Sequence, residues 1–469
     1  MDGYGDGCAQ QQPSRTAIHQ TSRTGDLMTA PRTDRRRQDR EILALAVPAF
    51  GALVAEPLFL LADSAIVGHL GTSQLAGLGV AGAALSTITG VFVFLAYATT
   101  AAVARRIGAG DRRGAVQQGI DGIWLALLLA VPLVLLTLVG APWIADALGA
   151  SDTAAPSAVT YLRISSLGVP AMLMVLAATG VLRGLQDTRT PLLVAVAGFT
   201  ANIGLNLALV YGAGLGVAGS AWGTVLAQTA MAAAYVVVVL RGARRERAGL
   251  RPDAAGIRAC AKAGWPLMVR TLSLRGVLMV ATAVAARLGD REIAAHQIAM
   301  TLWTFLAFGL DAIAIAGQAI IGRSLGAGDA PAARAATRRM VQWGVGSGVL
   351  LGLLVVLARP LYVPLFSPDP QVQDALSAVL LLVALTQPAA GLVFVLDGVL
   401  MGAGDGPYLA WAMLVTLAVF TPVALAVPAL GWGLLGLWWA MNLFMLVRGA
   451  FLLSRVRGGH WLVTGAVRA

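Results

Sequence analysis

Two carboxylates, Glu56 and Asp63, interrupt a strongly apolar stretch near the start of the chain. They are seven residues apart, so on a helix both would lie on one face, separated by about 10 Å along the axis. An ionisable group at the centre of a bilayer costs about 2.5–3.5 kcal/mol, and such groups often mark ion pathways. A carboxylate in a site of low dielectric constant binds a proton more readily than one in water. We therefore expect Asp63 to couple proton uptake to a conformational change, and Glu56 either to assist it or to form a second site.

Further ionisable residues fall in later apolar segments of the sequence. Arg270 and Asp311 either form a buried structural pair or belong to the substrate pathway, because an unpaired buried charge costs more than a paired one. Asp397 either caps local backbone near the inner end of its helix or contributes to the same pathway. Three other side chains are predicted to reach water or headgroups near helix ends: Arg163, Arg275 and His296.

The overall composition shows why these charges are unusual. The chain has 469 residues, of which 58% are hydrophobic and 12% charged, whereas soluble domains carry about 25% charged residues. This composition excludes a disordered protein and an ordinary cytosolic enzyme, and it requires lipid as the solvent. The only cysteines, Cys8 and Cys260, offer neither a disulfide framework nor a thiolate metal cluster. Because HExxH and Walker motifs are absent, we expect no enzyme activity, no metal and no cofactor.

The apolar segments predict an all-α integral membrane protein with twelve transmembrane helices, since each segment is long enough to cross the hydrocarbon layer. The runs are continuous and lack the alternation of barrel strands. The predicted ranges, in chain order, are 42–68, 76–104, 119–140, 157–182, 190–211, 217–240, 260–287, 294–322, 337–358, 373–402, 408–427 and 433–454.

The placement of arginines predicts the orientation of these helices. The turns after even-numbered helices contain sixteen arginines, and the turns after odd-numbered helices contain three. Under the positive-inside rule the even-numbered turns and both termini lie in the cytoplasm. We therefore expect a multi-pass protein of the cell inner (plasma) membrane. The basic residues are spread over many loops, so we expect no nucleic-acid partner.

An internal repeat at an offset of 218 positions divides the chain into two halves. The segments 70–111 and 288–329 align without a gap and end in RRIGAGD and RSLGAGD. The same offset pairs Pro48 with Pro266 and Pro170 with Pro388, which predicts paired kinks in helices 1 and 7 and in helices 4 and 10. Each half contains six predicted helices, an even number, so both halves enter the membrane the same way and form parallel repeats. Two such lobes can rock against each other and expose a site between them alternately to the two sides.

The repeat also predicts the domain organisation. Asp63 corresponds to Ala281 and Arg270 to Ala52, so the ionisable residues were not needed to build the shared fold, which favours functional roles for some of them. The regions we expect are a disordered basic N-terminus at 1–40, an N-terminal six-helix lobe at 41–240, a cytoplasmic linker at 241–259, a C-terminal six-helix lobe at 260–455 and a cytoplasmic tail at 456–469.

Several of these motifs resemble the multidrug and toxic compound extrusion (MATE) family, in its DinF-like branch. The similarity is carried by LADSAIVGHLG at 61–71, by the segment 294–322 and by LDGVLMGAGD at 396–405. The motifs occur in the family's order, and the resemblance extends over residues 40–455. It implies a MATE-like fold of two six-helix lobes.

The resemblance further implies secondary active export of bulky, often cationic, organic compounds in exchange for inward protons or sodium ions. It implies a cation site formed by Asp63, Asn202, Asn206 and Thr224, and a helix 1 bend at Pro48. Asn206 stands where related members have an aspartate, so one negative charge is missing, which favours protons over sodium. We expect a monomer in the lipid bilayer with small organic substrates.

A lipid-linked glycan flippase of the wider superfamily is the alternative function. Arg163, Arg270 and Arg275 could form a cationic cavity that suits a pyrophosphate group. The close similarity of the two halves and the family motifs favour the exporter. Transport of an anionic lipid-linked sugar without drug efflux would favour the flippase.

Overall fold

The computed structural model describes residues 32–468, with side chains from residue 35. Within this range every regular element is a helix, as predicted, and we number the helices α1–α12 in chain order, with α2 and α4 each in two parts. They are α1 (Arg32–Gly68), α2 (Thr72–Phe92 and Phe94–Gly108), α3 (Arg112–Ala147), α4 (Ala155–Ser166 and Val169–Gly184), α5 (Arg189–Leu207, continued by a π-turn Ala208–Gly212), α6 (Gly216–Glu246), α7 (Ala254–Leu288), α8 (Asp290–Gly326), α9 (Ala330–Phe366), α10 (Pro370–Gly402), α11 (Gly406–Ala429) and α12 (Gly433–Gly458).

Eleven spans in the described part of the chain are long and apolar enough to cross a membrane, and α4 is a twelfth if its two parts count as one. The two parts of α4 meet at an angle of 54°. Gly168 lies in the break and Pro170 is the second residue of the next part, in the first turn, where proline removes no helical hydrogen bond. Its repeat equivalent, Pro388, lies inside the unbroken α10, where Thr386 replaces the glycine.

Small residues let the helices of each lobe pack closely. In the lobe formed by α7–α12, the backbones of α9 and α10 approach so nearly that a Cβ on Gly391 would lie 2.0 Å from the Gly344 carbonyl oxygen. Lipid gives helices little hydrophobic reason to associate, so dispersion contacts between close backbones carry much of the packing energy. The lobe formed by α1–α6 meets the other chiefly through α1 and α2 against α8.

The two lobes are sealed together on the side of the bundle where α2 and α8 end, which we call the terminal face. A Cβ on Gly108 would lie 1.9 Å from the Arg323 carbonyl oxygen, and one on Gly326 would lie 1.9 Å from that of Arg105. The Arg105 guanidinium also donates to the Ala403 carbonyl oxygen at 3.2 Å. Backbone contact this close leaves no path for solute between α2 and α8 at the terminal face.

We expect Gly326→Ala to open the terminal face, because the added methyl group would overlap the Arg105 carbonyl oxygen. Spin labels at the exposed positions Arg113 and Ala335, one on each lobe, should shift from one short distance to a mainly longer one. Gly82→Ala is the matched control, since nothing lies within 4 Å of its added Cβ. If the wild-type protein, Gly326→Ala and Gly82→Ala gave equal distance distributions, the contact at Gly326 would not be what closes the terminal face.

Helices α1 and α6 extend beyond the predicted boundaries of the first lobe, and the segment after α12 packs against the lobes. Helix α1 begins at Arg32, inside the segment 1–40 that we predicted to be disordered, and residues 1–31 of that segment lie outside the described residues. Helix α6 continues to Glu246, which shortens the predicted linker. The tail after α12 folds onto the terminal face, where Trp461 is 1% exposed and the Gly465 amide donates to the Leu325 carbonyl oxygen at 2.9 Å.

Candidate functional site

Asp63 lies in a closed polar pocket between α1, α4, α5 and α6. Its side chain is 3% exposed. The Asn206 amide nitrogen and the Ser220 hydroxyl each donate to its Oδ1 at 2.7 Å. The Tyr161 hydroxyl donates to Oδ2 at 3.4 Å. None of these partners is basic, so the carboxylate is held by neutral donors alone.

The other predicted members of the site lie in a second layer around this carboxylate. Asn206 also donates to Asn202 Oδ1 at 3.0 Å, and Asn202 donates to the Thr224 hydroxyl at 3.2 Å. The Thr224 and Tyr161 hydroxyls are 3.5 Å apart. The structure therefore brings together all four predicted residues, with Asp63 at the centre of the network.

Helical spacing explains how the pocket is assembled. Asn202 and Asn206 are four residues apart on α5, and Ser220 and Thr224 are four apart on α6, so each pair presents both side chains on one face. Gly223 keeps the approach of α5 close, because a Cβ there would lie 2.0 Å from Asn206 Oδ1. The pocket thus depends on two helical pairs and one glycine.

Sequence reasoning missed two residues of the pocket, Tyr161 and Ser220. Ser220 carries a signal that could have found it, because it lies one turn before Thr224 on the same helix. Tyr161 carries a weaker signal: Ser165 lies four residues later on the same face, but this part of α4 contains no acid or amide that would mark an ion site. Only the packing of α4 against α6 brings its hydroxyl to Asp63.

The second lobe has no equivalent of this pocket. At the repeat positions of Asp63 and Asn202 it carries Ala281 and Phe420, and at those of Ser220 and Thr224 it carries Trp438 and Asn442. The arrangement of helices is repeated, but only the first lobe has an acid with polar partners at these positions. The two lobes therefore differ in what they can bind here.

Glu56 is separate from the Asp63 pocket. Its side chain is exposed and lies within electrostatic range of Arg275 on the facing lobe. Arg275 in turn reaches α2, where a Cβ on Gly90 would lie 1.8 Å from its guanidinium nitrogen. This pair lies between the two lobes, so the structure gives Glu56 no direct contact with Asp63.

Of the two alternatives for Arg270 and Asp311, the structure does not form the direct pair, because Arg270 binds Asp397. The Nε atom of Arg270 donates to Asp397 Oδ1 at 3.2 Å, and a terminal guanidinium nitrogen of Arg270 donates to Asp397 Oδ2. Arg448, which sequence reasoning missed, lies 3.0 Å from the same carboxylate. Asp397 is therefore an ion-pair partner and not a backbone cap, because α10 continues as a regular helix on both sides of it.

Around this ion pair lies a wider charged group at the junction of the lobes, which we call the central cluster: Tyr97, Arg183, Arg270, Asp311, Asp397 and Arg448. Asp311 lies within electrostatic range of the three arginines. The Arg270 guanidinium is 6.0 Å from the centre of the Tyr97 ring, which permits a cation–π contact. The cluster combines side chains of both lobes.

Three other sequence expectations meet different outcomes. His296 is wholly buried and not solvated, with its ring 5.8 Å from that of Trp438 between α8 and α12. Arg163 is exposed as expected. Helix α1 runs without interruption through Pro48, so a hinge there stays a prediction.

Within residues 32–468 no group of three or more His, Cys, Asp or Glu side chains is placed to hold a metal ion. The Asp63 pocket offers one carboxylate with amide and hydroxyl partners. The pocket supplies a single negative charge, which suits a proton better than a multivalent ion, whose sites usually contain several carboxylates. The arrangement supports reversible protonation at a buried acid.

Comparison with protein families identifies one match that occurs twice in this chain. The MatE family model matches residues 48–208 and again residues 266–426. The second match begins 218 positions after the first, the offset of the internal repeat. The repeat and the two-lobe fold therefore coincide with a duplicated family unit.

Individual relatives cover nearly the whole chain. "Protein DETOXIFICATION 44, chloroplastic" of Arabidopsis thaliana is 31% identical over 440 residues, which is 90% of this chain and 83% of that protein. "DNA damage-inducible protein F" of Escherichia coli is 29% identical over 437 residues, which is 90% of this chain and 93% of that protein. The crystal structure of the Vibrio cholerae MATE transporter VcmN in its bent form shares the fold, with a TM-score of 0.83 at 22% identity over 92% of this chain and 99% of that one.

Proposed function

We propose, from the premise that this chain belongs to the MatE family, that it exports organic compounds in exchange for protons that bind at Asp63. The family match and the apolar helices identify the chain as a multi-pass membrane protein and a multidrug efflux transporter, not an enzyme. The proposal of proton exchange rests on the Asp63 carboxylate, which is buried among neutral donors in the first lobe only.

Protons fit this pocket better than sodium ions because of the direction of its hydrogen bonds. Two donors, from Asn206 and Ser220, already point at Asp63 Oδ1. An amide nitrogen offers hydrogens where a sodium ion would need oxygen lone pairs. Oδ2 has only the long Tyr161 contact at 3.4 Å, so this oxygen can accept a proton without losing a short hydrogen bond.

Protonation can be converted into movement because the carboxylate joins helices. A neutral acid accepts hydrogen bonds more weakly than a carboxylate, so proton binding loosens the attachment of α1 to α5 and α6. Bending of α1, with Pro48 as the predicted hinge, then changes the contact of the first lobe with α8. The ion thereby biases a rocking equilibrium between two arrangements of the lobes.

The present arrangement corresponds in this proposal to the outward-facing state. The terminal face is sealed by Gly108 and Gly326, and the positive-inside rule assigns this arginine-rich face to the cytoplasm. Glu56 and Arg275 are exposed between the lobes, which supports an opening on the opposite side. Location in the inner membrane and a monomeric state remain predictions.

The proposal is tested by reconstituted transport with imposed ion gradients. We expect the wild-type protein to move organic substrate in response to a pH gradient and to show no response to a sodium gradient. Asn206→Asp places a second carboxylate beside Asp63 and supplies oxygen ligands, so this variant should gain a sodium response of about tenfold over background, comparable to one added charge contact.

Two results would contradict this assignment of the ion. Transport by the wild-type protein that follows sodium at constant pH would show that the neutral donors do not exclude that ion. Substrate movement that follows neither gradient would remove secondary active exchange altogether. Thr200→Ser, on α5 but pointing away from the pocket, is the matched control for changes in α5.

A further inference from the structure

The central cluster carries more positive than negative charge. It contains three arginines, Arg183, Arg270 and Arg448, and two aspartates, Asp311 and Asp397. One carboxylate, Asp397, is shared by two buried guanidinium groups. Asp311 compensates one further charge, so one positive charge remains without a partner in the cluster. An uncompensated charge in the interior is unfavourable unless a ligand neutralises it.

One side of this cluster is accessible. Arg270, Asp397 and Arg448 are buried, whereas Arg183 and Asp311 are partly exposed. Arg183 belongs to α4 of the first lobe, and Asp311 belongs to α8 of the second. A ligand bound at this accessible side would touch both lobes, so its affinity would differ between the two arrangements of the lobes.

Two of the three guanidinium groups, those of Arg270 and Arg448, have aromatic neighbours. Arg270 lies over the ring of Tyr97, and the Arg448 guanidinium is 5.9 Å from the centre of the Phe394 ring. Aromatic packing limits rotation of a guanidinium plane, whose parallel donors match the oxygens of a carboxylate. The rings of Tyr97 and Phe394 add apolar surface beside these groups, which suits a hydrophobic body attached to the anionic group.

We propose that the transported compound is a small organic anion, an apolar body with one carboxylate, which binds at the accessible side of the central cluster near Arg183. This inference rests on the proposed export function and specifies its substrate class. It replaces the organic cation that the family resemblance implied, because a cation would add a further positive charge to a site that already has an excess. The Glu56–Arg275 pair is balanced and offers a cation no net attraction.

The test uses two probes with the same ring and opposite charge, 1-naphthylacetate and (1-naphthylmethyl)trimethylammonium. We expect proteoliposomes with an imposed pH gradient to transport the carboxylate at least about tenfold faster than the ammonium compound, as for one charge-assisted contact. Binding is measured separately by thermal unfolding in detergent without a gradient. The carboxylate should raise the unfolding temperature, and the ammonium compound should not.

Arg183→Gln identifies the site, because Arg183 is not part of the buried ion pair and its loss should leave the fold intact. We expect its KM for naphthylacetate to rise at least about tenfold, while the dependence of the maximal rate on the pH gradient stays unchanged. Arg183→Lys should recover part of the affinity, since it restores the charge but not the planar donors. Arg163→Gln, an exposed arginine on the same span, should behave as wild type.

The outcomes separate this inference from the proposed function. If the pH gradient drives the ammonium probe and not the carboxylate, the substrate class is wrong and proton exchange stands. If the carboxylate stabilises the protein but no gradient moves it, the anion site stands and proton exchange fails. If neither probe binds and a lipid-linked pyrophosphate sugar does, the anion is a lipid and the inference of a small soluble substrate is overturned.

Discussion

Replacing Asp63 by asparagine is expected to reduce proton-driven export to about one hundredth of the wild-type rate or less. A proton can switch the two arrangements of the lobes only if it binds one of them more tightly than the other, and the variant has lost the group that binds it. The asparagine side chain cannot take up and release a proton near neutral pH. Initial rates in proteoliposomes with an imposed pH gradient measure the effect.

The fold should survive this substitution. The asparagine side chain would keep one oxygen in the position of Asp63 Oδ1, which accepts from Asn206 and Ser220 in the wild-type protein. Its amide nitrogen would face the Tyr161 hydroxyl, whose oxygen can accept a hydrogen bond. An unchanged thermal unfolding temperature would therefore show that lost transport reflects lost coupling.

Glu56→Gln is the matched control, since Glu56 lies on the same helix seven residues earlier and outside the pocket. We expect this variant to keep its response to the pH gradient. If Asp63→Asn transported like the wild-type protein and Glu56→Gln did not, the coupling site would be Glu56, and our assignment would be wrong.

The second large effect concerns stability. Asp397→Asn should lower the free energy of unfolding by about 3–5 kcal/mol, as observed when one partner of a buried ion pair is removed. The change would leave Arg270 and Arg448 facing each other without the carboxylate that both contact. Unfolding in mixed micelles with increasing denaturing detergent gives the free energy directly.

Two further variants test whether this loss comes from the pairing. Arg448→Met should cost less than Asp397→Asn, because the Arg270–Asp397 pair persists and the cluster loses its excess positive charge. Asp374→Asn, an exposed position on the same helix, should change stability by less than about 0.5 kcal/mol. Equal losses in all three variants would show that the helix, and not the ion pair, responds to substitution.

Much of the architecture could be predicted because each span must meet the requirements of a lipid environment within its own sequence. A helix that crosses hydrocarbon has to form all its backbone hydrogen bonds internally and remain apolar for about 20 residues. These demands are local, so apolar runs, arginines in turns and the 218-residue repeat are visible in one sequence. The paired prolines Pro170 and Pro388 predicted equivalent kinks in α4 and α10. Helix α4 is indeed broken, at Gly168, two residues before Pro170, whereas α10 continues unbroken through Pro388.

The composition of the Asp63 pocket was partly predictable for a similar reason. Asn202 with Asn206, and Thr224 on α6, lie at helical spacings that the resemblance to the MATE family singled out. Ser220 could have been inferred from its place one turn before Thr224. Tyr161 could not, because its contact with Asp63 spans 98 positions in the chain and depends on how α4 packs.

By itself the sequence determined that this is a membrane protein of two repeated helical lobes with a buried acid on the first helix, because the cost of placing charge and backbone in lipid applies to each residue separately. Only the tertiary structure decided which charges meet: Arg270 pairs with Asp397, which also binds Arg448, and His296 is packed against Trp438. The physical reason is that an ion pair depends on the rotation and depth of two helices relative to each other, and no spacing along one helix records those quantities.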